Sequence, residues 1–252
     1  MTEEKPDSII ETIKTVVYAV VLAMVIRSVA FEPFNIPSGS MLPNLLVGDY
    51  LFISKYTYGY SHFSFPMDMI PIKDRWWFDG KPGQPQQGDI VVFKTPVNPY
   101  GDAFIKRVIG LPGDRIQVIK GILTINGKPV TREEIGVFKT NGPDGMDRAA
   151  KEYLETLPNG VQHKIIEISD HEMHDNTPVF EVPEGHYFLM GDNRDNSSDS
   201  RVPEVVGYVP AENILGPARF FFFSVDEKAE LAKPWDWFGY IRFSRMFRPV
   251  PD

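Results

Sequence analysis

A chain of 252 residues, 42% of them hydrophobic, is long enough to bury a substantial core as one large domain or two small ones. Its net charge of -8 argues against non-specific nucleic-acid binding, which needs a basic surface, so no nucleic acid is expected as a partner. Having no cysteine, it has no disulfide, thiolate metal site or cysteine nucleophile, so any covalent nucleophile is a hydroxyl.

Residues 1–31 read as a membrane segment. Thr15 to Ile26 is uncharged and bounded by Lys14 and Arg27, but these twelve residues fall short of the ~20 that cross a bilayer. Ile9, Ile10 and Ile13 extend the apolar character on one side, and Val29, Ala30 and Phe31 on the other. With Lys14 and Arg27 snorkelling to the two interfaces, the span reaches about 17 to 20 residues. The rival is a cleaved signal peptide, since Ser28-Val29-Ala30 has the small-x-small form of a cleavage site. Arg27 beside that site, and only Lys5 and Lys14 ahead of the apolar run, count against cleavage. Tyr18 to Ile26 lacks the polar face of a surface-lying helix. The flanking charges are too few to set an orientation.

Glu32 to Tyr50 follows directly. Pro37 and Pro43 fix their own φ and push Ile36 and Leu42 out of the helical region, while Gly39 between two serines permits a turn closed to other residues. A stiff, kinked ribbon should hold the Ser40 hydroxyl in one place, flanked by Ile36, Met41 and Leu45.

Tyr50 to Tyr56 reads as a strand ended by Gly59. Residues 61–87, broken by proline and glycine, form an irregular excursion whose Trp76-Trp77-Phe78 packs onto the domain in preference to lipid. Gly88-Asp89 opens a second strand, Ile90 to Lys94. In the next, Phe104 to Gly110, Lys106 shares a face with Phe104 and Val108, and Arg107 shares the other with Ile105 and Ile109. One of the two cations therefore sits among apolar side chains. A guanidinium stays charged wherever it is placed, whereas a buried ammonium gives up its proton, so Lys106 is the candidate for a buried neutral amine. The alternative is an edge-strand lysine with an apolar stem.

Asp114 to Val130 reads as a hairpin with a type I′ turn at Asn126-Gly127. Residues 131–160 are polar, with a short helix expected near Arg148 to Thr156. Gly160 to Ser169 is strand-like, and its change of phase at Ile166 marks a bulge or a strand buried on both faces. The middle portion shows no chemistry. His171 and His174 invite a metal reading, but two histidines three apart without a helical frame suit surface residues better, and no metal is expected.

After a strand at His186 to Met190 comes Gly191 to Arg201, eleven residues of Gly, Asp, Asn, Ser and Arg that hydrogen bonds and ion pairs must satisfy. A calcium loop counted from Asp192 lacks glycine at its sixth position (Ser197) and glutamate at its twelfth (Pro203). A rigid scaffold fits better: Asp199 with Arg201 or Arg194 pins the loop, leaving Ser197 for function.

Four stretches carry a resemblance: Pro-Ser-Gly-Ser-Met-x-Pro at 37–43, Gly-Asp-Ile-Val-Val-Phe at 88–93, Ile-Lys-Arg-Val-Ile-Gly-Leu-Pro-Gly-Asp at 105–114, and Gly-Asp-Asn-Arg-Asp-Asn-Ser-x-Asp-Ser-Arg at 191–201. In this order, after an apolar anchor, they resemble the boxes of bacterial type I signal peptidase, a Ser/Lys-dyad serine protease family. Residues 131–178 share little of that likeness. The resemblance implies Ser40 as nucleophile, Lys106 as general base, Ser38 in the oxyanion hole with the Ser40 amide, and Ser197 orienting the Lys106 amine. It places Phe34, Ile36, Pro37 and Ile105 in pockets for small side chains, and Asp192, Arg194, Asp199 and Arg201 in a structural loop. Asn44 departs from the family's usual threonine and puts local hydrogen bonding in question.

The chemistry agrees with the residues. Serine needs a base to take its proton, no histidine here sits in a serine-protease context, and a desolvated lysine serves near neutral pH. The implied fold is mainly antiparallel β: an anchor at 1–33, a catalytic domain from 34–118 and 180–226, an insertion at 119–179 and a tail at 227–252. No cofactor is implied. The implied partners are preproteins and the lipid bilayer, and the implied location is the inner (cytoplasmic) membrane with the catalytic domain on its outer, periplasmic side. Trp235, Trp237, Phe238, Ile241, Phe243, Met246 and Phe247, interleaved with Arg242, Arg245 and Arg248, suit an anionic lipid interface or docking onto the domain. Two rivals are a self-cleaving Ser/Lys repressor of the LexA kind, which carries a helix-turn-helix where this chain is apolar, and an idle membrane-anchored β-domain that binds a partner.

Overall fold

A computed structural model of the chain describes residues 8–65, 75–77, 82–141, 147–226, 229 and 238–251. Phe78, Trp235 and Trp237 lie outside the described residues. Helix α1 (Ser8–Val29) includes 21 consecutive residues, Ile9–Val29, long and apolar enough to cross a membrane and nowhere buried against the rest of the protein. The expected apolar segment is thus one unbroken helix. It ends at the first β-structure: Phe31 already pairs with Ser54.

The fold beyond the helix is mainly antiparallel β. A seven-stranded sheet has the order β1-β2-β14-β3-β4-β12-β13. Its strands are β1 (Phe31–Asn35), β2 (Asp49–Ser54), β3 (Ile90–Lys94), β4 (Ala103–Gly110), β12 (His186–Met190), β13 (Val209–Pro210) and β14 (Ile214–Ser224). β14 is bulged where it pairs with both β2 and β3, which lets one strand bridge the two halves of the sheet. A four-stranded sheet, β11-β5-β6-β7, joins β5 (Arg115–Ile119), β6 (Ile122–Ile125), β7 (Lys128–Pro129) and β11 (Phe180–Glu181). Asn126 and Gly127 both have positive φ (54° and 77°), the expected type I′ turn between β6 and β7.

The third sheet, β10-β9-β8, has three strands: β8 (Thr131–Asn141), β9 (Asp147–Thr156) and β10 (Gln162–Glu167). The helix expected near Arg148–Thr156 is therefore the central strand β9. Ala149, Lys151, Glu152 and Leu154 favour helix intrinsically, but pairing on both sides overrides that preference. β10 pairs with β9 without a bulge, and its phase change reflects burial on both faces, with Ile165 and Ile166 both fully covered.

Two cores matter for the site. Ile36, Met41, Leu45, Leu51, Ile53 and Val92 cluster beneath the segment after β1. Ile109, Ile116, Leu123, Phe188 and Met190 join the large sheet to the four-stranded one. Trp76 makes a β-bridge with Tyr60, and Trp77 stacks on the Tyr60 ring at 5.7 Å, so this pair packs onto the domain although Trp76 keeps an exposed face.

Candidate active site

Ser40 stands on a one-turn 3-10 helix, Gly39–Met41, entered through extended Ser38 and left through extended Leu42. Met41 and Leu45, fully buried on either side of the Leu42-Pro43 step, fasten the turn to the core. The Gly39 expectation needs correction, because its φ is not in the left-handed region. A Cβ there would lie 2.9 Å from Leu42 Cδ1, the far end of a flexible side chain that can move aside. Behind the turn, the Asn193 amide N–H donates to the Ser40 carbonyl at 3.1 Å, and the Asn193 side chain donates to the Gly39 carbonyl at 3.0 Å.

β4 delivers Lys106 to the front of the same turn. Its side chain is buried, and Nζ donates to Ser40 Oγ at 2.6 Å and to the Ile105 carbonyl at 3.0 Å. The Phe104 ring, 5.9 Å from Nζ, covers the amine. Burial pulls the Lys106 pKa down to about 8, against the opposing pull of Asp199 and Asp192. Arg107 corrects the expectation of a single buried cation. It is more completely buried than Lys106 and grips Asp192 with Nε at 2.9 Å and Nη2 at 3.0 Å.

Ser197 reaches the same place without the predicted contact. Its buried Oγ makes no hydrogen bond to Lys106, whose amine is directed instead to Ser40 and to its neighbour's carbonyl. Gly191 allows the close approach: a Cβ there would stand 2.2 Å from Ser197 Oγ and 2.5 Å from the Ser40 carbonyl oxygen.

All four residues expected to pin the loop are buried in it. Asp199 takes Arg201, with Nε and Nη2 each at 2.9 Å, and receives the Gly191 N–H at 3.0 Å. Burial disfavours the Asp199 carboxylate, but Arg201 outweighs it and holds the pKa below the usual range. Arg194, the other candidate partner for Asp199, turns away and pairs with Glu155 on β9, Nη1 to Oε1 at 3.0 Å. Glu155 is buried too, yet Arg194 and His163 overcome that burial and hold its pKa at about 2. The middle portion thus does contribute to this site. Nothing near Glu155 in sequence marks it, because its partner is 39 residues away. Asn44 resolves its own question by donating through Nδ2 to the Asp192 carboxylate at 2.7 Å and to the Lys164 carbonyl at 2.8 Å.

The residues expected to carry chemistry or form side-chain pockets share one cleft of about 730 Å³: Phe34, Ile36, Pro37, Ser38, Ser40, Ile105, Lys106 and Ser197 all line it. Sequence reading missed its other wall, made by Asp102, Glu172, Met173, His174 and Asp195. Asp195 accepts the N–H groups of Ile168 (2.6 Å) and Ser169 (3.2 Å), which precede residues 172–174 in the chain. Among the described residues, no group of three or more His, Asp or Glu is arranged to hold a metal. A serine hydroxyl touching a desolvated lysine amine in a cleft can carry out acyl transfer.

Comparison with known proteins places the chain among relatives. The family model described as "Signal peptidase, peptidase S26" matches residues 9–223. The signal peptidase I of Rickettsia typhi is 41% identical over 251 residues, covering 92% of this chain and 90% of the relative. That of Rickettsia canadensis is 39% identical over 256 residues, covering 93% and 91%. A solved structure of a signal peptidase I from Enterococcus faecalis V583 is 27% identical, covering 53% of this chain and 96% of that one at a TM-score of 0.31. With the family model spanning most of its length and relatives near 40% identity throughout, the chain belongs to the signal peptidase family, peptidase S26.

Proposed function

We propose that this chain is a serine endopeptidase that removes N-terminal signal peptides from exported preproteins, cutting after small-x-small residues, with Ser40 as nucleophile and Lys106 as general base. The 2.6 Å contact between Lys106 Nζ and Ser40 Oγ, inside the cleft, carries this reading. Neutral Lys106 takes the Ser40 proton as Oγ attacks the scissile carbonyl carbon. The carbonyl oxygen becomes an oxyanion facing the Ser40 N–H and the Ser38 hydroxyl, and one such donor typically lowers the barrier by ~3 kcal/mol. The C–N bond breaks as the lysine ammonium returns its proton to the departing amine, leaving an acyl-enzyme. Water then attacks the ester carbonyl as Lys106 takes its proton, the C–Oγ bond breaks, and Lys106 returns that proton to Ser40 Oγ, releasing the signal peptide and restoring the neutral amine. Ser197, buried beside the pair, shields the amine from solvent.

The preprotein lies extended. β3 pairs with β4 over Ala103–Arg107, but β12 covers β4 only from Arg107 onward, so no described strand pairs the edge at 103–106 beside the cleft. A peptide adding there as a strand brings its side chains to Phe34, Ile36 and Ile105. Residues 34–118 and 180–226 act as the catalytic domain, with 119–179 inserted.

Helix α1 anchors the chain in the inner (cytoplasmic) membrane, with the cleft on the outer, periplasmic side where exported chains emerge. In the tail, Arg242 and Arg245 dock onto the domain, Arg245 donating to Asp49 Oδ1 at 3.0 Å and Arg242 to Ser224 Oγ at 2.8 Å, while Phe238, Phe243 and Phe247 stay exposed. Docked cations with outward phenylalanines favour lipid contact by the rings. In a preprotein cleavage assay with detergent-solubilised protein, Ser40→Ala and Lys106→Ala should each abolish processing with circular dichroism unchanged. Retained cleavage in either variant sinks the dyad.

A further inference from the structure

Three sets of contacts tie the sheet β8–β10 to the back of the turn that carries Ser40. Arg194, in the loop beside that turn, donates to both carboxylate oxygens of Glu155 on β9. The backbone of β10 joins the same loop: Ile166 N–H donates to the Asp192 carbonyl and Arg194 N–H to the Ile166 carbonyl, each at 3.0 Å. On the other flank, Asn44 donates both to the Lys164 carbonyl on β10 and to the Asp192 side chain. Between these clamps sits Asn193, whose two donors hold the Ser40 and Gly39 carbonyls. His163 fills the remaining space, its Nε2 3.2 Å from Glu155 and 4.0 Å from Asp192.

Glu155, Asn44, Asn193 and Arg194 do not line the cleft, so none of them meets substrate. Nor does stability alone account for them. A buried ion pair stabilises little more than apolar packing of the same volume, because desolvation consumes most of the attraction; its best-attested use is registry. Apolar packing would let the sheet slide over the loop, whereas forked charge pairs and backbone bonds admit one position.

We infer that the sheet β8–β10 positions the nucleophile: Glu155 and Asn44 hold residues 192–194 against the Gly39 and Ser40 carbonyls and so fix where the Ser40 hydroxyl stands relative to Lys106. This rests on Ser40 being the nucleophile. Glu155 and Asn44 are positioning residues, and their removal should leave substrate binding intact while slowing chemistry. A misplacement of about 1 Å costs on the order of 10²-fold in rate.

The test uses the full chain in detergent micelles, cleaving a fluorogenic peptide with a small-x-small site well below the lowest melting temperature of any variant. Glu155→Gln should lower kcat roughly tenfold and Asn44→Ala roughly fivefold, each with KM within about twofold of the parent. Because both act on one strip of chain, the double variant should lose less than the product of the two. Arg194→Lys, which keeps the charge and loses the fork, should retain more activity than Arg194→Met. A kcat for Glu155→Gln within twofold of the parent, a rise in KM at unchanged kcat, or losses that multiply fully would overturn the inference. If Glu155→Gln does not fold, Asn44→Ala decides alone, and an unchanged kcat there overturns it. Ser40→Ala run alongside separates the two readings: cleavage by that variant refutes the nucleophile itself, whereas an inert Ser40→Ala beside an unaffected Glu155→Gln refutes only the positioning.

Discussion

Replacing Lys106 by methionine keeps the length of the side chain and removes its titration. In the fold Lys106 has a pKa of about 8 against 10.5 for the free side chain, because burial penalises the ammonium. The native state therefore binds fewer protons than the unfolded chain between these two values, and stability rises with pH across that window. Below about pH 8 the penalty is fully present; by about pH 10.5 it has gone. At 1.36 kcal/mol per unit, this shift corresponds to about 3 kcal/mol. Lys106→Met escapes the penalty but loses the two hydrogen bonds to Ser40 and Ile105, at about 1 kcal/mol each. The informative quantity is therefore the pH dependence of the difference. Variant minus parent should be favourable by ~1 kcal/mol at pH 7 and should fall by about 3 kcal/mol on going to pH 10.5. Urea unfolding followed by tryptophan fluorescence, in parallel on both proteins, measures it, since titrations elsewhere cancel in the subtraction. A difference that stays flat from pH 7 to 10.5 would falsify the claim that burial neutralises this amine.

The same value sets the pH profile of catalysis: kcat/KM should rise about tenfold per pH unit below about pH 8 and then level off, and Lys106→Arg should be inactive at every pH because guanidinium keeps its proton. Gly191→Ala should abolish processing, since its Cβ would fall 2.5 Å from the Ser40 carbonyl oxygen, a backbone atom that cannot give way; normal turnover in that variant contradicts the close approach. Asp192→Asn leaves the buried Arg107 guanidinium without its countercharge and should cost about 3–5 kcal/mol in a denaturant titration. Changing Phe238, Phe243 and Phe247 together to serine should weaken flotation with anionic vesicles in a chain lacking residues 1–31 and leave soluble-peptide cleavage intact; unchanged flotation removes the tail's role at lipid.

Much of this protein is legible locally. An apolar run bounded by Lys14 and Arg27 becomes a helix because nothing interrupts it. The β-branched and aromatic segments 90–94, 104–110 and 186–190 become strands, and Asn126-Gly127 turns because both residues accept positive φ. Pro37 and Pro43 mark the ribbon around Ser40, and the apolar neighbours Phe104 and Val108 mark Lys106, because those constraints act over a few residues; the four motif stretches add their roles by resemblance. Contacts between distant parts of the chain settled the rest. Arg194 chose Glu155 over Asp199 because β9 arrives beside it, and β9 is a strand, despite its helix-forming residues, because β8 and β10 supply hydrogen bonds on both edges. Asn44 meets Lys164 across 120 residues, and Glu172, Met173 and His174 line the same cleft as Ser40 although they lie far from it in sequence. Backbone preference is a property of neighbours in sequence, whereas the partner of a buried charge is set by whatever the fold brings within about 3 Å of it.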